Sequence, residues 1–335
     1  MNMPGKFKKD KQTPPPPLKI HDTEVPAGKH AIVRIPVGQL PSGNVITIRA
    51  HVFRSKKPGP VLLVLGGIHG DEINGIEIVR RSLEMKFYQK LVCGSVVAIP
   101  LLNIYGFINY SRDVPDGKDV NRSFPGASKG SLAARVAHTL HKIVLPHVTC
   151  GIDFHTGGSG NHNHPQTRYT PGDEKARELA LAFGAPLTLP YKAIAKSLRK
   201  SARDHYNVPI VIFEGGENRR YDGYSIEIGL SGIRRLMHQL GMIEEQPAPV
   251  ETLSFEKTTW LRASRAGMFE WMKASGSFVR KGEALGVITD PLGIRPTRRI
   301  YATHDGYIIG HNNSPVVNAG DALFHIGYND SAAKD

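Results

Sequence analysis

Two stretches near the start of the chain, "HAIVRIPV" and "VITIRAHVF", alternate hydrophobic and polar residues. Alternation with a period of two is typical of strands that bury one face. Further along, short and almost wholly apolar runs predict strands that are buried on both faces. These runs are "VLLVLGG", "SVVAIPLLN", "CGIDFHTGG" and "PIVIFEGGE".

Helical spacing of hydrophobic residues occurs between these predicted strands. In the first such stretch Ile76, Val79, Leu83 and Phe87 recur at intervals of three or four residues, which indicates an amphipathic helix. The alternation of strands and helices predicts an α/β domain with a parallel or mixed central sheet and helices on both faces. The predicted helices are "NGIEIVRRSLEMKF", "SLAARVAHTLHKIVLPHV", "GDEKARELALAFG" and "YSIEIGLSGIRRLMHQLGM".

The pattern changes after the proline-bearing stretch "EEQPAPVETLSF". Two β-rich halves that resemble each other follow, "GMFEWMKASGSFVRKGEALGVI" and "GYIIGHNNSPVVNAGDALFHI". Each has an opening Gly, then a Val (Val279, Val317), then Gly, an acid, Ala and Leu. We therefore predict a catalytic domain over residues 21–250 and a small all-β unit over residues 251–330. The unit resembles the barrel-sandwich hybrid of biotinyl and lipoyl domains.

Composition narrows the class of protein. Residues 1–20 are basic and proline-rich without an apolar segment, which predicts a disordered tail rather than a secretory signal. No apolar stretch is long enough for a membrane helix. With only Cys93 and Cys150, a disulfide framework is not expected, and the cytoplasm is the predicted location. The net charge of +13 favours small anionic partners; no nucleic-acid-binding pattern is found, and none is predicted.

Ionisable residues stand where the predicted buried strands end. His69 and Glu72 follow "VLLVLGG", His155 ends "GIDFH", and Glu214 ends "PIVIFE". Ligands of open α/β sheets bind beyond the carboxyl ends of the strands, so we expect these side chains to meet. Two histidines and one carboxylate are a common catalytic zinc set. We therefore predict that one zinc ion is held by His69, Glu72 and His155.

Glu214 is the predicted general base, which takes a proton from metal-activated water and returns it to the leaving amine. Glu217 is its competitor, and Glu214 is preferred because it directly ends the strand. The long connection "NIYGFINYSRDVPDGKDVNRSFPG" carries Arg112, Asn121 and Arg122. An arginine can grip a carboxylate with two hydrogen bonds or stabilise an oxyanion.

The motifs "GGIHGDE", "DVNRSFPG", "DFHTGG" and "FEGGE" resemble the succinylglutamate desuccinylase/aspartoacylase family, in its branch of predicted deacylases. That family is related to the zinc carboxypeptidases, so the resemblance implies a mixed central sheet with helices on both faces. It also implies the following roles. The zinc ligands are His69, Glu72 and His155; Arg112 polarises the scissile carbonyl; Asn121 and Arg122 hold the substrate carboxylate; and Glu214 is the base.

Some positions stay open. Asn103 receives no role, because "NIYGF" stands where the family often has Asn-Pro. Tyr221 and Tyr224 are unassigned candidates for the family's substrate-capping tyrosine. The segment after His155, "GSGNHNHPQTRY", carries His162, His164 and Arg168, and it either contacts substrate or forms a surface loop.

Three functions are compared. The first is a zinc amidohydrolase that removes the acyl group of a small anionic N-acyl amino acid. The second is a carboxypeptidase acting on a peptide or an amino-acid polymer. The third is a carrier module led by the biotinyl-like unit, which is disfavoured because the tip between its halves, "VITDPLGI", has no lysine and Lys273 lies inside the first half. That unit is expected to carry no catalytic residue, and to restrict the mouth of the site or to mediate a homo-oligomer.

Overall fold

The structure, a computed structural model, describes residues 15–329. Its six α-helices in this part of the chain are α1 (Ile73–Glu84), α2 (Ile104–Ile108), α3 (Leu132–Thr139), α4 (Glu174–Phe183), α5 (Leu198–Tyr206) and α6 (Gly223–Gln239). Short 3-10 helices cover Phe87–Lys90, Val120–Arg122 and Leu145–His147, and one π-helical turn covers Leu140–Val144.

The strands of the described residues fall into three sheets. Those up to α6 are β1 (Leu18–Ile20), β2 (Thr23–Val25), β3 (His30–Gln39), β4 (Val45–Arg54), β5 (Val61–Leu65), β6 (Ser95–Ile99), β7 (Cys150–Gly157), β8 (Asn161–Tyr169), β9 (Leu187–Pro190) and β10 (Ile210–Glu217). Those after α6 are β11 (Leu253–Ser254), β12 (Lys257–Arg262), β13 (Gly267–Trp271), β14 (Phe278–Val279), β15 (Ala284–Thr289), β16 (Arg298–Tyr301), β17 (Gly306–Asn312), β18 (Val316–Val317) and β19 (Ala322–Tyr328).

The central sheet is mixed, as the resemblance implies. Its main path runs β12-β19-β17-β8-β10-β7-β5-β6-β4-β3, with β9, β11 and β14 paired alongside. Strands β10, β7, β5 and β6 run parallel to one another, so their carboxyl ends share one edge. Strands β4 and β8 flank them in the antiparallel sense. The parallel strands are the almost wholly apolar runs of the sequence, since they are covered on both faces.

Strand β5 shows why such a run is needed. Leu62 and Val64 pack into the hydrophobic cluster on one face of the sheet, which includes residues of α1, α4 and α6. Leu63 and Leu65 pack into the cluster on the other face, with residues of α3 and α5. All four side chains are fully buried. The predicted α/β architecture with helices on both faces is therefore confirmed.

The C-terminal β unit is built from two interlocked halves. Gly267 of β13 pairs with Val317 of β18, and Val279 of β14 pairs with Gly306 of β17. The short strand of each half therefore pairs with the first strand of the other half, which accounts for the repeated Gly and Val positions. Strand β17 also pairs with β8, so the unit continues the central sheet. The predicted boundary at residue 250 remains a prediction.

Several details differ from the sequence predictions. Leu18–Ile20 were assigned to the disordered tail, but they form strand β1, and Ile20 is fully buried; residues 1–14 lie outside the described part. The segment after His155 is strand β8 rather than a surface loop, because it adds an antiparallel strand beside β10. Asn103 has a structural role, since its Oδ1 accepts a hydrogen bond from the Gly106 N–H at 2.8 Å and caps α2.

Two further structural facts concern the cysteines and the helices. Cys93 and Cys150 are both free. Among residues 15–329, none of the helices combines the length and the apolar character that crossing a membrane requires.

Candidate metal centre and catalytic pocket

The turn that leaves β5 places His69 and Glu72 at the carboxyl edge of the sheet. Gly67 adopts a φ of +63°, which a residue with a Cβ rarely does. A Cβ at Gly70 would overlap the backbone of Gly106. Helix α1 then begins at Ile73, directly after Glu72. The glycines therefore allow a tight turn that points both side chains back over the end of the strand.

Donor atoms of the three predicted ligands converge in this turn. Nδ1 of His69 lies 2.6 Å from Oε1 of Glu72, and Nδ1 of His155 lies 2.9 Å from Oε2 of the same carboxylate. The two Nδ1 atoms lie 3.2 Å apart. His69, Glu72 and His155 are the one group of three or more potential metal ligands found among the described residues.

This spacing fits a metal. Zinc–nitrogen and zinc–oxygen bonds of about 2.0–2.2 Å at tetrahedral angles separate ligand atoms by roughly 3.3 Å, close to the separations here. Two imidazole Nδ1 atoms that face each other at 3.2 Å both suit a shared cation as lone-pair donors. All three residues are nearly inaccessible to solvent, as expected of a cluster that is completed by an ion rather than by water.

An acidic neighbour orients His155, and a second carboxylate near His69 adds negative charge. Nε2 of His155 lies 2.9 Å from Oδ2 of Asp153, the arrangement in which a carboxylate fixes the tautomer of a metal-ligating histidine. Nε2 of His69 lies 3.4 Å from Oδ1 of Asp119, without hydrogen-bond geometry. The cluster thus presents Nδ1 of each ring to the centre.

The charges of neighbouring residues also shift the pKa values of His155 and Glu72. Burial disfavours the charged form of His155, but the charges of Asp153 and Glu72 outweigh burial and raise its pKa well above the usual value. Burial likewise opposes ionisation of Glu72, yet His69 and His155 hold its pKa well below its usual range. The centre of the cluster favours positive charge, which a divalent cation supplies as well as protons do.

Glu214 stands beside the cluster because of strand register. It is the direct neighbour of His155 across the parallel pair β10 and β7. Its Oε1 accepts a hydrogen bond from Nη1 of Arg168 and its Oε2 accepts one from Nδ2 of Asn163, both at 3.0 Å. Both partners lie on β8, so that strand fixes the orientation of the carboxylate.

The long connection after β6 brings Arg112 to the same place. Nη1 of Arg112 lies 3.2 Å from both Oε1 of Glu72 and Nδ1 of His69. Its Nε and Nη2 donate to Oδ2 of Asp119 at 3.1 and 2.8 Å. Asp119 therefore holds the guanidinium with one nitrogen directed at the cluster.

Asn121 and Arg122 lie on the 3-10 turn that follows Asp119. Oδ1 of Asn121 accepts a hydrogen bond from the Leu198 N–H at 2.9 Å, which ties this turn to the start of α5. Nη1 of Arg122 donates to the Asn121 carbonyl at 2.8 Å. The amide oxygen of Asn121 is therefore already used, and only its Nδ2 is left to serve a substrate carboxylate.

A pocket of about 260 Å³ joins these groups. All seven residues that the sequence analysis selected line it, namely His69, Glu72, Arg112, Asn121, Arg122, His155 and Glu214. Glu217, the competing base, does not; its Oε2 accepts a hydrogen bond from Nδ2 of Asn313 at 2.7 Å. Of the remaining candidates, Tyr221 and Tyr224 are 69% and 54% exposed and lie outside the lining.

The sequence analysis assigned no role to the other lining residues, although it named Arg168 as a possible substrate contact. Asn163 and Arg168 come from β8, Tyr191 from the segment that leads into α5, Arg199 from the first turn of α5, and Trp260 from β12 of the C-terminal unit. The guanidinium of Arg168 lies 4.8 Å from the centre of the Tyr191 ring. The histidine-rich segment that contains Arg168 indicated a possible substrate contact in the sequence. No sequence feature distinguished Arg199 from the other basic residues of α5.

Arg199 is the most unusual of these. Its side chain is 4% exposed; Nη2 donates to the Tyr191 carbonyl at 2.7 Å, and Nε and Nη1 have no hydrogen-bond partner among the described residues. Burial and the nearby Arg168 lower its pKa to about 10. The pocket therefore holds a largely unpaired buried cation, which suits an anionic ligand.

His162 and His164 do not line the pocket. His162 joins the two parts of the molecule, since its Nδ1 lies 2.8 Å from Oγ of Ser275 and its Nε2 lies 3.1 Å from Oδ2 of Asp222. Asp222 also caps α6 by accepting a hydrogen bond from the Ser225 N–H. This histidine therefore connects the catalytic part to the C-terminal unit.

Comparison with known proteins identifies the family. Residues 58–240 match the model of the succinylglutamate desuccinylase/aspartoacylase catalytic domain. The chain is 26% identical over 327 residues to N-alpha-acetyl-L-2,4-diaminobutyric acid deacetylase of Halomonas elongata, covering 93% of this chain and 95% of that protein.

Solved structures agree with this match. A succinylglutamate desuccinylase/aspartoacylase from Rhodobacter sphaeroides is 26% identical with a TM-score of 0.79, covering 90% of this chain and 96% of the other. The product-bound ectoine utilization protein EutE (DoeB) from Ruegeria pomeroyi has a TM-score of 0.80 at 22% identity, covering 89% and 94%. At that identity the second likeness concerns the fold alone.

The matched span contains every strand end that contributes to the His69–Glu72–His155 cluster, together with Glu214. Fold, site and relatives together define a hydrolase of the deacylase class, which acts on amide bonds of N-acyl amino acids. The chain belongs to the succinylglutamate desuccinylase/aspartoacylase family.

Proposed function

We propose that the protein is a zinc-dependent deacylase that hydrolyses the amide bond of an N-acyl amino acid, or of a similar carboxylate-bearing substrate. The observation that carries this proposal is the convergence of His69, Glu72 and His155 beside Glu214 in one arginine-lined pocket. In the reaction the C–N amide bond breaks; water adds its oxygen to the acyl carbon, and a proton goes to the amine.

The three donor atoms would hold one zinc ion per chain, which when bound supplies a Lewis acid and lowers the pKa of water. Glu214 takes a proton at one of its carboxylate oxygens and returns it to the departing amine. Each of these oxygens accepts one hydrogen bond from β8 and has further lone-pair capacity. Arg168 and Asn163 therefore orient the base without blocking it.

Arg112 would stabilise the oxyanion. Because Asp119 holds two of its nitrogens, the remaining Nη1 is fixed before the substrate binds. A donor that is already in place requires no reorganisation when charge develops on the carbonyl oxygen.

Asn121 and Arg122 would bind the substrate carboxylate on the side of the pocket that faces α5. Asn121 offers its Nδ2, and Arg122 offers guanidinium nitrogens beyond the one donated to the Asn121 carbonyl. Arg199 adds positive charge to the same pocket. These groups favour an anionic substrate, as does the net charge of +13.

The alternative is a carboxypeptidase that acts on a peptide or an amino-acid polymer, with the same residues in the same roles. The observation in its favour is a second polar cavity next to the catalytic pocket, since Arg112 and Gly158 line both. A cytoplasmic location and a homo-oligomer remain predictions.

The test is a substrate panel with the zinc-loaded protein. Because a relative is named for N-acetyl-diaminobutyrate and the family for succinylglutamate, the panel contains N-acetyl-diaminobutyrate, N-succinylglutamate, N-acetylaspartate and short peptides. Released amine is measured. Release from at least one N-acyl amino acid, lost on chelation and restored by zinc, is expected. If no compound of the panel releases amine, the proposal is overturned.

A further inference from the structure

One wall of the catalytic pocket comes from the C-terminal unit. Trp260 of β12 lines the pocket, whereas all other lining residues lie between positions 69 and 214. Trp260 is 37% exposed, so part of its indole ring is free to contact a ligand. The C-terminal unit therefore reaches the catalytic pocket through Trp260.

The indole ring of Trp260 is held in a fixed position. Trp260 pairs with His325 across strands β12 and β19, and the two rings stack with centroids 4.2 Å apart and planes 1° from parallel. His325 is fully buried, so close packing fixes this partner ring. A ring that is ordered before a ligand binds loses little conformational entropy on contact.

Strand pairing connects Trp260 to the proposed base. His325 pairs with Gly310 of β17, and Gly310 pairs with Asn163 of β8. Nδ2 of Asn163 donates a hydrogen bond to Oε2 of Glu214 at 3.0 Å. A Cβ at Gly310 would lie 2.6 Å from Oδ1 of Asn163, so this glycine leaves room for the amide. Because paired residues project from the same side of a sheet, Trp260 lies on the face of the sheet that carries Glu214.

Hydrophobic residues form one part of the pocket lining, and every other lining residue is polar, charged or a glycine. We call these hydrophobic residues the apolar wall; they are Tyr191, Ile194, Ile212 and Trp260. Ile212 lies two residues before Glu214 on β10, so both side chains project from the same face. The centre of the Tyr191 ring lies 4.8 Å from the guanidinium of Arg168, which forms an ion pair with Glu214 at 3.0 Å. The apolar wall is therefore adjacent to the proposed base.

The proposed reaction decides which part of the substrate meets this wall. Glu214 returns a proton to the departing amine, so the amine nitrogen lies beside Glu214, while Arg112 faces the carbonyl oxygen. The amine nitrogen is bonded to the Cα atom, which carries the carboxylate and the amino-acid side chain. The carboxylate is assigned to Asn121 and Arg122. The amino-acid side chain is therefore the part that remains for the apolar wall.

We propose that Trp260 is a specificity-determining residue, which binds the amino-acid side chain of the substrate together with the rest of the apolar wall. The preferred substrates are N-acyl amino acids whose side chain has an extended hydrocarbon portion, rather than N-acylglycine, because contact with the wall removes apolar surface from water. This inference rests on the proposed function, since it uses the proposed places of the amine and the carboxylate.

The experiment varies the amino-acid side chain and keeps the acyl group and the carboxylate constant. The probes are N-acetylglycine, N-acetyl-2-aminobutyrate and N-acetylnorleucine, tested with the zinc-loaded protein. One fully buried methylene group changes a binding constant about fourfold. We therefore expect kcat/KM to rise by about tenfold or more from N-acetylglycine to N-acetylnorleucine. The rise should lie mainly in KM, because the wall contacts the substrate equally before and during the reaction.

Trp260→Ala removes the indole ring from the wall. This variant should lower the ratio of kcat/KM for N-acetylnorleucine over N-acetylglycine by about fivefold or more. Trp271→Ala is the matched control, because Trp271 is 40% exposed and lies 4.6 Å from the buried His311, yet it is not part of the pocket lining. The control should keep the ratio. Trp260→Phe should keep part of it, since a phenyl ring can still stack on His325.

Fluorescence gives a second measurement that does not depend on hydrolysis or on the folding of Trp260→Ala. The sequence has two tryptophans, so Trp271→Phe leaves Trp260 as the one emitting tryptophan. In zinc-loaded protein that carries Trp271→Phe and Glu214→Gln, saturation with N-acetylnorleucine should shift the emission of Trp260 to shorter wavelength, because the side chain shields the ring from water. N-acetylglycine should cause a smaller shift.

The outcomes separate this inference from the proposed function. Hydrolysis of all three probes at the same kcat/KM, an equal proportional loss on all of them in Trp260→Ala, or equal emission shifts with both ligands would overturn this inference alone. The inference would also be wrong if Trp271→Ala lowered the ratio as much as Trp260→Ala does. Absence of hydrolysis for these probes and for the whole panel would instead overturn the proposed function.

Discussion

Two pairs of histidines are buried in two parts of the molecule, and they differ in their neighbours. His69 and His155 lie at the strand ends of the catalytic part, 2% and 4% exposed. His311 and His325 lie in the C-terminal unit, 4% and 0% exposed. Burial therefore does not distinguish the two pairs.

Charge does distinguish them. Carboxylates contact both His69 and His155, and the pKa of each is raised although burial opposes this. In the C-terminal unit burial acts without a carboxylate, and it lowers the pKa of His311 to about 4 and that of His325 to about 3. A buried histidine becomes a candidate metal ligand when acids surround it, and it is a core residue when aromatic rings do.

The rings around the second pair are tryptophans. Trp260 stacks on His325 at 4.2 Å with nearly parallel planes, and Trp271 lies 4.6 Å from His311. The sequence has two tryptophans in all, so each histidine of the C-terminal unit has a fluorescent neighbour. Tryptophan fluorescence therefore reports on the C-terminal unit and, through Trp260, also on the catalytic pocket that this residue lines.

Removing one histidine of each pair should give the largest contrast. His155→Ala loses a donor atom of the cluster, so zinc content should fall from about one per chain to near zero, with hydrolysis at background. His325→Phe preserves the stacked ring and should keep its zinc, measured by atomic emission. Zinc retained in His155→Ala, or lost in a folded His325→Phe protein, would break the comparison.

Replacing the base should have the next largest effect. Glu214→Gln keeps the shape of the side chain and removes the proton acceptor, so we expect unchanged zinc content and a loss of about 10²–10⁴ in kcat. Glu217→Gln, which alters a residue bonded to Asn313, should lose far less. The reverse ranking would make Glu217 the base.

Arg122 and Arg112 should respond differently to substrate charge. Arg122→Ala should lower kcat/KM by at least about tenfold on a substrate with a free carboxylate, since a charge-assisted contact contributes roughly 1.5–3 kcal/mol. The loss should be much smaller when that carboxylate is converted to an amide. Arg112→Ala should slow both substrates alike, mainly in kcat. Equal losses for Arg122→Ala on acid and amide would show that the carboxylate is held elsewhere.

The smallest effect concerns acid stability of the C-terminal unit. The pKa of His325 is about 3 in the folded protein and about 6.5 when unfolded, so between about pH 6.5 and 3 the unfolded chain takes up this proton and the folded protein does not. The folded state should lose stability as pH falls from 6.5 toward 3, by up to tenfold in the unfolding constant per pH unit for each such group. Tryptophan fluorescence during urea unfolding measures this.

The control for that prediction is His325→Phe, which removes the titrating group and should flatten the slope. Arg168 disfavours the charged form of His325, and His162 that of His311. His162 and Arg168 both lie on β8. The pH dependence of the unfolding free energy therefore requires that the C-terminal unit is packed against β8. A fluorescence transition independent of pH between 6.5 and 4 in the unaltered protein would contradict the assignment.

Much of the catalytic edge could be predicted because each of its residues is adjacent in sequence to a strong local signal. His69, His155 and Glu214 each follow an apolar run, and parallel strands bring their carboxyl ends to one edge. Strand β8 escaped prediction because "NHNHPQTRY" has no apolar run and Thr167 is its single β-branched residue. It is a strand because β10 and β17 offer it hydrogen bonds on either side.

The sequence by itself determined the α/β order, the paired halves of the C-terminal unit and the chemistry at the strand ends. These depend on local hydrophobic periodicity and on residues that stand next to it. Only the tertiary structure decided that Arg199 and Trp260 line the same pocket as the strand-end residues. These positions come from separate segments, and their proximity results from strand order and docking, which no local pattern encodes.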